Sequence, residues 1–276
     1  MAHAQITRED LDPVLATHHG NDALRAAVEK AAGDPPLLLS VLGRYIQFNS
    51  AFGPGLANLS GEVAARQGLF RDADEPVMIL ADRASEVAAD FFHAAVDEFD
   101  DRQTPWRDTH RTLAQATLKG FGRVFGYTPQ QLNDVIRINR ATTDAMARVS
   151  EGYGLAARLE DRRLFSGMGF HTGSEVLADE EFTIIDKVLC AKRPDLVKAL
   201  EEMKVQILDD QHNAYYWIRI HTSVEADHFA AAVKGVNKAL RFYSGNEKSE
   251  TVKDWILAGF RDFADVQAGF MATLAE

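Results

Sequence analysis

His221-Thr-Ser-Val-Glu225-Ala-Asp-His228 places two imidazoles and a carboxylate at positions i, i+4 and i+7. Successive residues of an α-helix turn by about 100°, so these three side chains share one stripe of a long helix. With Tyr215, Trp217, Ile218 and Phe229 around it, the stripe is a poor hydrophobic seam. It is a good ligand set for a borderline metal, because imidazole and carboxylate together suit iron, manganese or zinc. The competing reading is a solvated polar stripe on a surface helix, the usual place for polar residues. The helical period that makes the stripe recurs along the whole chain, and the fold it implies is all-α.

A second segment, Ile79-Leu-Ala-Asp82-Arg-Ala-Ser-Glu86-Val-Ala-Ala-Asp-Phe91-Phe92-His93, again sets a carboxylate and a histidine seven residues apart. Seven residues make nearly two turns, so Glu86 and His93 share a face about 10 Å apart along the axis. One ion cannot bridge that gap within a single helix. Two ions about 3.5–4 Å apart could be reached by ligands from two or three helices packed side by side. A third carboxylate comes from Gly167-Met-Gly-Phe-His171-Thr-Gly173-Ser174-Glu175, where Glu175 falls between the apolar residues Leu164, Met168 and Ile185 and faces inward if the segment is helical. His171, one turn earlier, shares that face and can orient Glu175 rather than bind metal itself. Asp179, Glu180 and Glu181 read as the solvated side, as clustered charges usually are. Gly167, Gly169 and Gly173 do not form a dinucleotide fingerprint, because the spacing is wrong and no strand precedes them.

Taken in order, Glu86 and His93, then Glu175, then His221, Glu225 and His228, the chain resembles the haem-oxygenase-like di-iron oxidases and oxygenases. That family's pattern is Glu-x6-His on one helix, a lone Glu on the next, and His-x3-Asp/Glu-x2-His on a later one. The likeness covers roughly residues 75–245 and includes Gly126-Tyr-Thr128-Pro129-Gln-Gln-Leu132, similar to the family's Gly-x-Thr-Pro-x-x-Leu joint. Better-known members carry Asp where this chain has Glu225. The resemblance implies a single haem-oxygenase-like helical bundle binding two ferrous ions and using O2 as co-substrate. It implies oxidation of a small molecule, for which an amino acid or amine is the preferred class: desaturation, C–C cleavage or cyclisation at a C–H bond, with N-oxygenation as the alternative. Related metal-independent folds, thiaminase-like and pyrroloquinoline-quinone-synthase-like, supply a third reading in which the same side chains only bind a ligand.

Composition fits a helical enzyme. With 276 residues the chain can bury a sizeable core, and 46% apolar and 26% charged residues are ordinary for a globular protein. A net charge of −11 argues against nucleic acid or an anionic membrane as partner and leaves a homodimer open. The lone Cys190 excludes an internal disulfide, suits a reducing cytosol and reads as a small buried hydrophobe. The N-terminal residues lack the apolar run of a secretion signal, and no stretch approaches the roughly 20 apolar residues of a membrane span, so the expected location is cytoplasmic.

Apolar residues recur at three- and four-residue steps over 22–32, 36–50, 56–70, 76–98, 109–125, 129–155, 160–190, 194–208, 212–243 and 250–274, with no convincing strand between them. No linker or repeat divides the chain, which reads as one domain over residues 1–276. Among the remaining polar residues, His18 and His19 read as a surface pair and His212 falls off the His221 stripe. His110 reads as a capping or solvent-facing residue. Arg137, Arg140 and Arg148 could hold a carboxylate as a fork, against the plainer reading of surface salt bridges. Tyr153, Tyr215, Tyr216 and Trp217 could line a pocket or simply fill the core.

Overall fold

Cap chemistry starts the helices close to where the sequence signals them. The Asp34 carboxylate accepts the Leu37 N–H ahead of Pro35, which opens α3 (Pro35–Asn49) with a residue whose missing N–H costs nothing there. Thr128 and Gln131 cap one another reciprocally and open α8 (Pro129–Ile136) at the Thr-Pro joint. The computed structural model describes residues 3–101, 107–155 and 159–276, apart from the side chains of residues 179 and 223–226. Its other helices are α1 (Arg8–Leu15), α2 (Gly20–Ala31), α4 (Phe52–Ala64), α5 (Met78–Ala81), α6 (Ala84–Phe99), α7 (His110–Val124), α9 (Arg140–Gly152), α10 (Asp161–Lys192), α11 (Pro194–Glu202), α12 (Tyr216–Phe242) and α13 (Ser249–Ala272). The fold is all-α, and no helix among the described residues is long and apolar enough to cross a membrane.

The 32-residue α10, about 48 Å long at 1.5 Å per residue, is the central element. It packs lengthwise on α13 and α12 and also against α2, while α6 lies between α4 and α12. Two glycines allow α10 and α13 to touch backbone to backbone. A methyl group on Gly169 would stand 1.8 Å from the Ile256 carbonyl oxygen, and one on Gly259 would stand 1.8 Å from that of Ser166. Glycine is required at both places by close helix packing.

Three sequence expectations need correction. The segment 76–98 is not one helix, since the chain is extended at Asp82 and α6 begins only at Ala84. The segment 129–155 breaks at Arg137, whose φ of 39° is left-handed, before Asn139 caps α9 by accepting the Thr142 N–H. The expected absence of strands fails over 204–213, where β1 (Lys204–Ile207) and β2 (Asp210–Asn213) form an antiparallel hairpin with Val205 opposite His212. Val205 and His212 are its buried pair, on a period of two that the helical reading of this short segment overlooked. The hairpin packs on α7, and Lys119 on that helix donates to the Gln206 carbonyl.

Candidate metal centre

The chemistry-bearing side chains converge from four helices. The C-terminal turn of α6 carries Asp97 and Glu98, and α7 begins at His110. The middle of α10 carries His171 and Glu175, and α12 carries His221 and His228. The connection between α6 and α7 is closed by an Asp101 N–H bond to the Asp108 carbonyl. An Arg107–Asp100 ion pair and a contact from His212 Nδ1 of β2 to the Asp108 carboxylate at 3.1 Å hold it further. Thr109 caps α7 by accepting the Thr112 N–H, which leaves the His110 ring to turn inward.

His110 Nδ1 lies 3.1 Å from Glu98 Oε1 and 3.2 Å from His221 Nε2. Glu98, His110 and His221 each offer one donor atom, and these atoms lie within 4.8 Å of one another. Both histidines are 4% exposed and Glu98 is half-buried, so two of the three members are withdrawn from solvent. His221 Nδ1 is 2.7 Å from the Trp217 carbonyl and must donate its proton there. The Nε2 of the neutral ring therefore keeps its lone pair toward the cluster, the arrangement in which imidazole binds metal. Phe182 stacks on the same ring at 4.2 Å and fixes its plane.

A second set lines the same cavity. His228 is held between Asp97, 3.1 Å from its Nε2, and Glu175, 3.5 Å from its Nδ1. Glu175 Oε1 in turn lies 3.1 Å from His171 Nδ1, and the Tyr153 and Ser174 hydroxyls contact the same nitrogen at 3.4 Å. His171 is fully buried, and burial first, then the nearby His228, hold its pKa down at about 3, so the ring is neutral. An ion on the Nδ1 side of His228 would share Glu175 with it, while Asp97 would fix the opposite N–H in a carboxylate–histidine–metal order. The donor set of both groups is carboxylate and imidazole, which fits iron, manganese or zinc.

The cavity beside these groups has a volume of about 340 Å³. Apolar side chains, among them Phe52, Leu56, Phe182, Trp217 and Phe263, form much of its wall. Arg111 lies in that wall, next in sequence to His110, and desolvation lowers its guanidinium from the ordinary arginine range.

The structure brings His221, His228 and Glu175 to this cavity and sets His171 behind Glu175. It does not bring Glu86 there. That residue is exposed in the first turn of α6, twelve positions before Glu98 and about 18 Å away along the helix. His93 is exposed as well, although its ring lies edge-on to His228 at 5.8 Å. The side chain of Glu225 lies outside the described residues. His110, expected to cap or face solvent, is instead buried in the cluster, because Thr109 takes the capping role.

Glu181 is likewise buried, not solvated. α10 is covered on more than one face, and the Glu181 carboxylate accepts the Tyr45 hydroxyl at 2.5 Å and the Gln267 amide at 2.7 Å. Arg137, Arg140 and Arg148 do not line the cavity; Arg140 pairs with Asp144 and Arg148 with Asp262. Cys190 is half-buried, and burial first, then the neighbouring Asp186, raise its thiol pKa. Tyr153 and Trp217 line the cavity, whereas Tyr215 is buried elsewhere and donates to Asp186.

Fold and cluster together define an all-α protein with a candidate metal site. No protein-family model matches the chain, and no characterised protein matches it in sequence.

Proposed function

We propose that the chain is an O2-dependent non-haem di-iron oxidase of the haem-oxygenase-like kind, acting on a small amino acid or amine. The observation that carries the reading is the Glu98–His110–His221 cluster, with both histidines buried, on the wall of a largely apolar cavity, with Glu175 and His228 lining the same space. Glu98 and Glu175 would neutralise much of the charge of two ferrous ions, and His110, His221 and His228 would supply neutral ligands. Ferrous iron supplies the electrons that activate O2, which no side chain provides. The protein's own part is to orient and to exclude water. The Trp217 carbonyl fixes the His221 tautomer, neutral His171 packs against Glu175, and the aromatic wall keeps the reacting bond dry. Oxidation at a C–H bond is the preferred outcome, and N-oxygenation is the alternative within the same site.

Anaerobic addition of ferrous iron should load about two ions per chain, the count a paired site requires. Admission of O2 with candidate amino acids and amines should then give substrate-dependent O2 uptake and a product of altered mass. A chain that takes up no iron would overturn the reading. That result would favour a metal-independent ligand-binding protein, in which the pairs His110–Glu98, His171–Glu175 and His228–Asp97 simply satisfy one another.

A further inference from the structure

Arg111 is the cation in the described lining of the cavity, whose other charged groups there are Glu98, Glu175 and Glu181. Other arginines of this acidic chain find a carboxylate, among them Arg66, Arg83, Arg148, Arg163 and Arg219. Among the described residues no carboxylate lies within ion-pair distance of Arg111. Its Nη1 donates to the Ile46 carbonyl at 3.2 Å, which tethers the guanidinium plane and leaves the rest of its five N–H donors for another acceptor. The residue is exposed yet lines the cavity, so it stands where the cavity meets solvent. Thr109, the cap of α7, lines the cavity beside it, so the positive end of that 15-residue helix faces the same region. A tethered guanidinium and a helix N-terminus at one mouth are an anion site, and their planar donors match a carboxylate.

We propose that Arg111 binds the carboxylate of this cavity's ligand, which is therefore a small monocarboxylate whose apolar body lies inward against Phe52, Leu56 and Phe263. The inference rests on the reading above in taking this cavity as the reaction site, and it adds the group that recognises the substrate and the end by which it is held. A free amine without a carboxylate would lack this anchor. An apolar body suits the aromatic and aliphatic wall, and the mouth keeps the charged end hydrated in part, so the cost of burying a charge is avoided.

The test compares 3-phenylpropionate with 3-phenylpropionamide, which share a shape and differ in charge. Binding is followed by the fluorescence of Trp217 in the cavity wall, with protein either metal-free or loaded with redox-inert zinc. The acid should bind wild type about tenfold or more tightly than R111Q, and the amide should bind the two proteins alike. R111K keeps the charge and loses the fork, so it should fall between them. Equal affinity of the acid for wild type and R111Q, or no binding of the acid to wild type, overturns the proposal. Should R111Q fail to fold by circular dichroism, unchanged acid binding by R111K overturns it instead. If the metal reading fails, zinc is not taken up while the Arg111-dependent preference for the acid persists. If the Arg111 inference fails, zinc is taken up and the preference is absent.

Discussion

His110 Nδ1 and His221 Nε2 meet at 3.2 Å although 111 residues separate them in sequence. His110 opens α7 and His221 lies on α12, and Glu98 in the last turn of α6 stands 3.1 Å from the same His110 nitrogen. Disturbing a residue that only orients a ligand typically weakens metal affinity about 10–100-fold, so removing a ligand itself should cost at least about 100-fold. His110→Ala, His221→Ala and Glu98→Ala should each show that loss in equilibrium dialysis against zinc or ferrous iron. Glu86→Ala, exposed and remote, should bind metal as wild type does. A Glu86→Ala variant that loses metal while His110→Ala keeps it would show that the cluster is not the metal site.

The contrast between Glu86 and Glu98 also shows what the sequence could reveal. That Glu175, His221 and His228 face the interior was legible because each falls on a helical face with apolar neighbours, and helical phase is a local property. Glu86 and His93 matched a familiar spacing, yet they lie on the side of α6 away from its buried stripe of Ala84, Val87, Ala88, Phe91, Ala94 and Ala95. Glu98 stands three residues after Ala95, four after Ala94 and seven after Phe91, so it continues that stripe with a carboxylate. Phase against the apolar residues distinguishes the exposed Glu86 and His93 from Glu98, and motif spacing does not. His110 carried no such signal, because its inward turn depends on a connection pinned by His212 of the hairpin, a contact between distant parts of the chain.

The α10–α13 contact gives a stability prediction free of any metal. Gly169→Ala and Gly259→Ala each drive a methyl group to 1.8 Å from a backbone carbonyl oxygen, which cannot rotate away as a side chain can. Overpacking usually costs about 1–3 kcal/mol, and a rigid backbone neighbour should place these variants at or above the upper end in urea unfolding. Gly269→Ala, exposed in α13 with nothing within 4 Å, should instead gain about 0.5–1 kcal/mol from helix propensity. Equal stabilities for Gly169→Ala and Gly269→Ala would contradict the packing.

Tyr45 and Glu181 supply a second stability test. The phenol donates at 2.5 Å to a carboxylate that is 3% exposed, and Gln267 donates to the other oxygen. Hydrogen bonds to charged groups contribute about 1.5–3 kcal/mol, and an acceptor buried with one donor fewer keeps its desolvation cost. Tyr45→Phe should lose stability in that range while its ring keeps the edge contact with Phe182. A loss below about 0.5 kcal/mol would mean that the carboxylate is protonated or rehydrated in the variant.

His171 sets a pH dependence whose sign follows from its burial. Its folded pKa lies at about 3, below the ordinary histidine value of 6.5, because burial and then His228 disfavour the imidazolium. Between those two values the unfolded chain binds a proton that the folded chain does not. Stability from this group is therefore complete above about pH 6.5 and is lost as pH falls toward 3, by about 1.4 kcal/mol per pH unit once the unfolded histidine is fully protonated. His171→Gln keeps a polar side chain of similar size and removes the titration. Urea unfolding of metal-free wild type and His171→Gln at pH 7.0, 6.0, 5.0 and 4.5 isolates the term, since every other group titrates in both proteins. The wild-type curve should fall more steeply than the variant's below pH 6, by up to the slope of one proton. Parallel curves would mean that His171 takes up its proton in the folded state, and so is not the neutral ring beside Glu175.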